Sequence, residues 1–191
     1  MDKKPNNIDT PTLNYKTDYR NIKYPRLEFK TGTLLLVLPK NYENEKDILT
    51  KHKKWIHKKQ QVIQNALKKS KTKHLNLTRT NQELKNLVYT TAKKYQKELN
   101  IKINKIYFRK MKTKWGSYST KGNLTINTLL KHLPIKLIEY VILHEMTHSQ
   151  ERKHSERFWK IISKKIKEHQ KREKDLLVYW FLVQRITLNN Q

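Results

Sequence analysis

Three histidines and a glutamate lie close together in the segment HEMTHSQERKH, residues 144–154. His144 and His148 are four residues apart, so on a helix their side chains share one face and can bind one metal ion. Glu145 is rotated by about 100° from His144, and its carboxylate can take a proton from an attacking water. This H-E-x-x-H spacing is typical of metal-dependent hydrolases. The segment therefore predicts a catalytic metal centre with Glu145 as general base, in preference to the polar face of a basic helix.

A catalytic metal in this arrangement needs a third protein ligand and keeps one coordination position for water. The segment offers His154, six residues after His148, and the carboxylates of Glu139 and Glu151 are the alternatives. Because the chain contains no cysteine, the site must be built from His, Asp or Glu. Zn²⁺ is the expected cofactor, although three imidazoles also accept other divalent metals.

The five residues between His148 and His154 match the spacing of the metzincin proteases. Metzincins place a glycine in the middle of that spacing and a methionine-containing turn downstream. Here Glu151 takes the middle position, and no methionine follows Met146. The segment therefore excludes a typical metzincin.

The formal net charge of +27 is unevenly placed along the chain. Residues 51–110 contain 18 Lys and Arg but only two acids, Glu83 and Glu98. Such a surface attracts DNA, RNA or nucleotides, although charge of this kind concerns non-specific binding and not the fold. A metal centre of this kind can hydrolyse peptide bonds, and the charge adds two alternatives. They are a metal-dependent nucleotide phosphohydrolase and a non-catalytic nucleic-acid-binding module with a structural metal. Against the first alternative, the sequence contains no glycine-rich phosphate loop. Against the second, a purely structural metal would need neither Glu145 nor an open coordination position.

No segment has the character of a membrane anchor. The first residues, MDKKPNNIDTPTLNY, have no apolar stretch of the kind found in signal peptides. The longest apolar run, at 176–183, has eight residues, whereas a spanning helix needs about 20. We therefore expect a cytoplasmic protein with no membrane span.

The elements that must position the centre follow from local patterns. Polar residues 1–17 are expected to form a flexible N-terminal arm, and residues 18–191 a single domain, with a hairpin and helices in 18–100 and the catalytic core in 101–191. Residues 19–30 and 33–38 read as a β-hairpin around Thr31-Gly32.

Helical and strand periods then follow one another. Residues 43–70 are helical with a break, and Thr80 with Glu83 forms a capping box that opens a helix ending near residue 99. Residues 101–109 and 123–130 alternate like strands. Pro134 opens the helix that carries the metal motif, and Ser155 is the expected N-cap of the next helix. A last helix contains the apolar run. The pattern predicts an α+β fold.

Further motifs surround the metal segment. They are Trp115-Gly116-Ser117, Ser119, Gly122-Asn123 and Asn127 before it, and His154-Ser155 and Phe158-Trp159 at its end. With H-E-x-x-H, this combination resembles the YgjP-like metallopeptidase family, which is related to SprT- and WLM-type metalloproteases, over roughly residues 19–175. The resemblance implies a zincin-like metallopeptidase domain with an N-terminal β-hairpin, a small antiparallel sheet and a C-terminal helical part bearing H-E-x-x-H. It also implies that His144, His148 and His154 are the ligands and Glu145 the catalytic base.

The chain departs from the family pattern near the expected substrate. Tyr118 stands where the family has Cys, and Lys114 and Leu129 stand where Arg is expected. These departures concern substrate contacts, because Arg and Lys are not interchangeable at bidentate sites.

The candidate residues of the substrate cleft are Trp115, Gly116, Ser117, Tyr118 and Asn127. Residues 115–118 could form an edge strand that holds an extended protein or peptide substrate by main-chain pairing. The indole of Trp115 could instead belong to the core, and Tyr118 could be an oxyanion donor or a surface residue.

Overall fold

The structure, a computed structural model, describes residues 15–30 and 32–189. These residues form two compact units, one ending at Gln60 and one beginning at Gln61. The α+β class predicted from the sequence is confirmed. Residues 1–14 of the predicted arm lie outside the described residues, and the first strand already begins at Tyr15. In chain order the elements are β1 Tyr15–Arg20, β2 Arg26–Lys30, β3 Thr33–Pro39, α1 Glu45–Lys51, α2 Lys53–Ser70, α3 Asn81–Leu99, β4 Lys105–Arg109, β5 Gly116–Tyr118, β6 Asn123–Asn127, a 3₁₀ helix Thr128–His132, α4 Ile135–Thr147, α5 Glu156–Lys165 and α6 His169–Asn189.

The N-terminal unit contains a three-stranded sheet in the order β1-β3-β2. The predicted hairpin is confirmed, because β2 and β3 pair antiparallel and Gly32 has a φ of 91°. The turn residue Thr31 lies outside the described residues. The single strand predicted over 19–30 is wrong, since it is divided by residues 21–25, where Pro25 removes a backbone donor. The first part of it, β1, pairs parallel with β3.

The C-terminal unit contains a second small sheet, in the order β4-β6-β5. It is mixed and not antiparallel as predicted: β5 and β6 pair antiparallel, but β4 and β6 pair parallel. Residues 110–115 carry the chain across the end of the sheet, and β6 then inserts between β4 and β5. The strand predicted to continue to residue 130 ends at Asn127, because the Asn127 side chain accepts a hydrogen bond from Leu129 N and starts a 3₁₀ turn.

The capping box at the start of α3 is confirmed. Thr80 Oγ1 accepts from Glu83 N at 3.1 Å, and Glu83 Oε2 accepts from Thr80 N at 2.6 Å. The helix ends at Asn100, which takes the left-handed conformation with a φ of 51°. One face of α3 is buried against the common core through Leu84, Val88 and Ala92.

Helix α4 is the central element of the C-terminal unit. It begins directly after Pro134, and eight of its thirteen residues are buried. Phe158 and Ile162 of α5 and residues 178–183 of α6, the apolar run seen in the sequence, are buried as well. No helix in the described part of the chain is long and apolar enough to cross a membrane. The buried helix α4 thus gives a fixed base to whatever its last turn carries.

Candidate metal centre and substrate cleft

The three histidines of the motif converge in the structure. His144 lies in the last turn of α4, His148 is the C-cap of that helix, and His154 follows in the loop before α5. One ring nitrogen from each lies within 4.8 Å of the others, and the Nε2 atoms of His144 and His154 are 3.0 Å apart. Two ligands of a tetrahedral ion with metal–nitrogen bonds of about 2.0–2.1 Å lie roughly 3.3 Å apart. The donor set and its spacing therefore fit one divalent ion.

The two acidic alternatives for the third ligand are engaged elsewhere. The side chain of Glu151 accepts a hydrogen bond from Lys153 N at 3.2 Å. Glu139 lies near Tyr95, whose pKa is raised to about 12 mainly by burial and then by this carboxylate. Neither acid belongs to the group of converging ligand atoms in the described residues. The geometry thus supports His154 as the third ligand.

One hydrogen bond and one charged neighbour orient the histidines. Nδ1 of His148 lies 3.1 Å from the carbonyl oxygen of Glu151, so this nitrogen donates and Nε2 is left to bind a metal. Nδ1 of His144 lies 3.5 Å from Oε1 of Glu173, and the Tyr140 hydroxyl donates to the same oxygen at 2.6 Å. A carboxylate behind a metal-binding histidine fixes the ring and raises its basicity.

The charge states of these groups suit a metal site. Desolvation tends to raise the pKa of Glu173, but the imidazole of His144 and the hydroxyl of Tyr140 outweigh it and lower the pKa below its ordinary value. Desolvation lowers the pKa of His148 and of His154. Neutral imidazoles beside an ionised carboxylate are the forms that bind a divalent cation.

Phe158 forms the apolar floor of the histidine cluster. Its ring centroid lies 5.0 Å from that of His144, 4.8 Å from His148 and 4.7 Å from His154, and the side chain is fully buried. Ser155 starts α5 as predicted, since its Oγ accepts from Phe158 N at 3.4 Å. The cap therefore places His154 and Phe158 on either side of one helix start.

Glu145 projects from α4 toward strand β5. Burial raises the pKa of its carboxyl group, and the raised value is partly offset by His144, by Lys114 and by the backbone N–H of Tyr118. Gly116 lies directly against this side chain, because a Cβ at Gly116 would be 2.6 Å from Glu145 Cγ. The Glu145 side chain therefore fits against β5 at this position only because Gly116 has no side chain.

A cleft of about 500 Å³ opens beside Glu145 and His148. Of the predicted cleft residues, Gly116, Ser117 and Tyr118 line it. Its other walls come from Lys114 just before β5, from Ser119 and Thr120 in the turn after β5, and from Ser149 and Arg152 in the loop between His148 and His154. Most of the residues that line the cleft are therefore of polar types, and they include more positive than negative side chains.

The structure places two predicted cleft residues elsewhere. The indole of Trp115 packs edge-on against Trp180 at 4.8 Å between ring centroids. Asn127 is fully buried, and its amide donates to the carbonyl oxygens of Met111 at 2.9 Å and Lys114 at 2.8 Å. Neither residue is among those that line this cleft, because Trp115 packs against the core and Asn127 ties the loop before β5 to the sheet.

Sequence reasoning missed several residues of the site. Tyr140 precedes His144 by four residues, so the helical period alone would have placed it on the ligand face. Arg152 lies inside the motif segment itself and was detectable by its position there. Glu173 comes from α6, and nothing local in the sequence connects it with His144.

Comparison with known proteins identifies one family and two similar solved structures. The family model of the YgjP-like metallopeptidase domain matches residues 78–178, which is just over half of the chain. Two solved structures are similar: the metallopeptidase zymogen abylysin of Pyrococcus abyssi, at 19% identity and a TM-score of 0.45, and the metallopeptidase zymogen jannalysin of Methanocaldococcus jannaschii, at 26% identity and a TM-score of 0.42. Each comparison covers 48% of this chain and 93% of the other. No curated protein matches the chain.

Proposed function

Since the chain belongs to the YgjP-like metallopeptidase family and is a metal-dependent peptidase, we propose that it hydrolyses peptide bonds with Zn²⁺ as its metal and Glu145 as general base. His144, His148 and His154 are the proposed ligands. The observation that carries the proposal is the convergence of three imidazole nitrogens within 4.8 Å beside a carboxylate with a raised pKa. When bound, zinc acts as a Lewis acid toward the scissile carbonyl and makes water more acidic.

Glu145 is suited to carry the proton of the reaction. Burial raises the pKa of its carboxyl group, which makes the carboxylate a stronger base. It accepts a proton from the attacking water and delivers it to the nitrogen of the leaving amine. The backbone N–H of Tyr118 and the close approach of Gly116 hold the side chain in one position, which limits the reorganisation needed during this transfer.

Strand β5 supplies the main-chain groups that orient the substrate. Ser119 N donates to Asn123 O, and Asn127 N donates to Trp115 O, so alternate residues of this strand face β6. Gly116 and Tyr118 therefore direct their backbone groups to the opposite side, where no strand pairs with β5 in the described part of the chain. The N–H of Tyr118 is used there by the Glu145 carboxylate, which leaves the backbone groups of Gly116 and the carbonyl oxygen of Tyr118 for a substrate. An extended peptide can add there as a further strand, next to Glu145.

The test compares the wild type with Glu145→Gln and with Glu156→Gln, which changes an exposed acid at the start of α5. Each protein is loaded with zinc, its metal content is measured, and cleavage of an unstructured protein such as casein is followed. Glu145→Gln is expected to lose about 10²–10⁴-fold in rate with its zinc content unchanged, which is the range for a positioned general base. Glu156→Gln is expected to match the wild type. Equal cleavage by all three proteins would assign the activity to a contaminating protease and reject the proposal.

A second proposal concerns recruitment to nucleic acid, and the observation that favours it is the surface of α2. This helix contains six lysines and no acid, and all six lysine side chains are exposed. None of these lysines forms an ion pair in the described part of the chain. Unpaired lysines on one helix repel one another, and a phosphate backbone relieves this repulsion.

This second proposal is tested by measuring the salt dependence of oligonucleotide binding by anisotropy. The variant Lys54→Gln/Lys58→Gln removes two charges from α2, and Lys93→Gln/Lys97→Gln removes two exposed charges at the same spacing from α3. If the α2 lysines contact phosphates, only the α2 variant lowers the slope of log Kd against log salt, by roughly 0.9 per lost contact. Equal changes in both variants would reduce the effect to overall charge and reject a site on α2.

A further inference from the structure

The walls of the cleft beside Glu145 indicate which side chains the enzyme accepts next to the scissile bond. We infer that the cleft binds an anionic side chain of the peptide substrate, and that Lys114 and Arg152 are the residues that select it. This inference rests on the proposed peptidase function and specifies its substrate class.

The cations approach the cleft from two separate segments. Lys114 lies in the loop that leads into β5, and Arg152 lies in the loop between His148 and His154. Both side chains are exposed, and neither forms an ion pair with an acid in the described residues. Arg152 can bind a carboxylate or phosphate through two parallel hydrogen bonds, and Lys114 adds a point charge from the other side.

The remaining lining favours the same ligand. Hydroxyl groups come from Ser117, Tyr118, Ser119, Thr120 and Ser149, and the described lining contains no aliphatic side chain. A leucine or phenylalanine placed here would remove water from hydroxyls and cations without replacing their hydrogen bonds, which is unfavourable. A carboxylate or a phosphate replaces them.

The only acid in the described lining is Glu145, and it does not cancel the two cations. Its carboxylate interacts with His144, with Lys114 and with the backbone N–H of Tyr118, so this one acid offsets only part of the charge of the two cations. The cleft therefore keeps an excess positive charge, which attracts an anionic side chain and repels a lysine or arginine in the substrate.

Matched peptides test the inference. Fluorogenic peptides that contain one cleavable bond and differ in one flanking residue carry Glu, Gln, phosphoserine, Ser, Leu or Lys at that position. Wild-type enzyme is expected to cleave the Glu and phosphoserine peptides at least about tenfold faster in kcat/KM than the Gln and Ser peptides, the scale of one charge-assisted contact of about 1.4 kcal/mol. The preference is expected to shrink with added salt.

Two variants with matched controls assign the preference to the named residues. Lys114→Met/Arg152→Met is expected to lose most of the tenfold preference, measured as the ratio of kcat/KM on the Glu peptide to kcat/KM on the Gln peptide, so that any effect common to both peptides cancels. The control Lys112→Met/Lys153→Met removes two exposed charges from the same two loops outside the cleft lining, and it is expected to keep the preference. The zinc content of each protein shows whether the change in the Arg152 loop has disturbed His154.

The outcomes separate this inference from the proposed function. Cleavage of all peptides at equal rates, abolished by Glu145→Gln, would overturn the inference and leave the peptidase intact. Absence of any cleavage that depends on Glu145 would overturn both. Phosphate release from a nucleoside triphosphate that is lost in Glu145→Gln would assign the two cations to a nucleotide and overturn the peptide side chain as their ligand.

Discussion

Replacing Gly116 with alanine tests whether strand β5 positions Glu145, the proposed general base. The added Cβ would lie 2.6 Å from Cγ, 3.1 Å from Cδ and 3.2 Å from Oε1 of Glu145, whereas ordinary contacts are 3.4–4 Å. One of the two residues must move by about 0.8 Å. Gly116 lies in a regular strand and not in the left-handed region, so alanine fits its backbone and the clash is the main effect.

The size of the expected loss follows from this displacement. A misplacement of about 1 Å in a reacting group can reduce the rate about 10²-fold, equivalent to about 2.7 kcal/mol of activation free energy. We expect Gly116→Ala to lower kcat by about tenfold to hundredfold on any peptide, because the proton acceptor itself is displaced. The three atoms closest to the new methyl group all belong to Glu145, so the zinc content is expected to equal that of the wild type.

Gly122→Ala is the matched control, because it changes a second glycine of the same hairpin, where the added methyl group strains the backbone but does not clash with Glu145. Gly122 has a φ of 72°, and its added Cβ would meet no atom closer than 3.6 Å. Alanine there costs about 1 kcal/mol or more of stability through the left-handed backbone, with little direct effect on Glu145. The assay is kcat, zinc content and thermal unfolding of both variants. A Gly116→Ala enzyme that keeps kcat within threefold of wild type would refute the positioning argument.

Three further predictions concern the surroundings of the site. Glu173→Gln is expected to weaken zinc binding about tenfold to hundredfold in a competition titration with a chromophoric chelator, while Glu168→Gln leaves it unchanged; an equal affinity in both variants would show that Glu173 does not act through the metal. Thr80→Ala is expected to lower stability by about 1 kcal/mol, seen as a fall of about 2–4 °C in Tm, whereas Thr90→Ala in the exposed middle of the same helix causes no loss. Asn127→Ala is expected to lower the free energy of unfolding in urea by about 2–4 kcal/mol, because it leaves buried backbone groups unpaired; unchanged stability with reduced activity would return this residue to the cleft.

The parts of the site predicted from the sequence depend on local spacing. The i, i+4 separation of His144 and His148 follows from the helical period, and the box formed by Thr80 and Glu83 involves atoms three residues apart. Pro134 marks the helix start because its ring restricts the backbone there. In each case the interacting groups lie within one turn of the chain, so the pattern contains the whole physical argument.

The parts that sequence reasoning missed depend on distant segments. Glu173 reaches His144 only because α6 packs against α4, and no period in the chain records that contact. Asn127 is a candidate cleft residue through its place in the motif that resembles the family, and the motif does not tell whether its amide contacts a substrate or the backbone. Its full burial supports the backbone role. The parallel pairing of β4 with β6 has a similar origin, since strand order is decided by the loop between β4 and β5 and not by the alternation within either strand.

The loop between His148 and His154 links metal binding to substrate choice. It carries Arg152 in the cleft wall, and the carbonyl oxygen of Glu151 holds the ring of His148. Because both ends of this loop are metal ligands in the proposed site, bound metal restricts the loop and with it the position of Arg152. The preference for anionic side chains should therefore depend on loop conformation, whereas the contribution of Lys114, which comes from the sheet side, should not. Single substitutions separate the two contributions. A substitution in the loop that leaves zinc bound should change only the part of the preference that Arg152 supplies, which is the part that remains in the Lys114→Met variant.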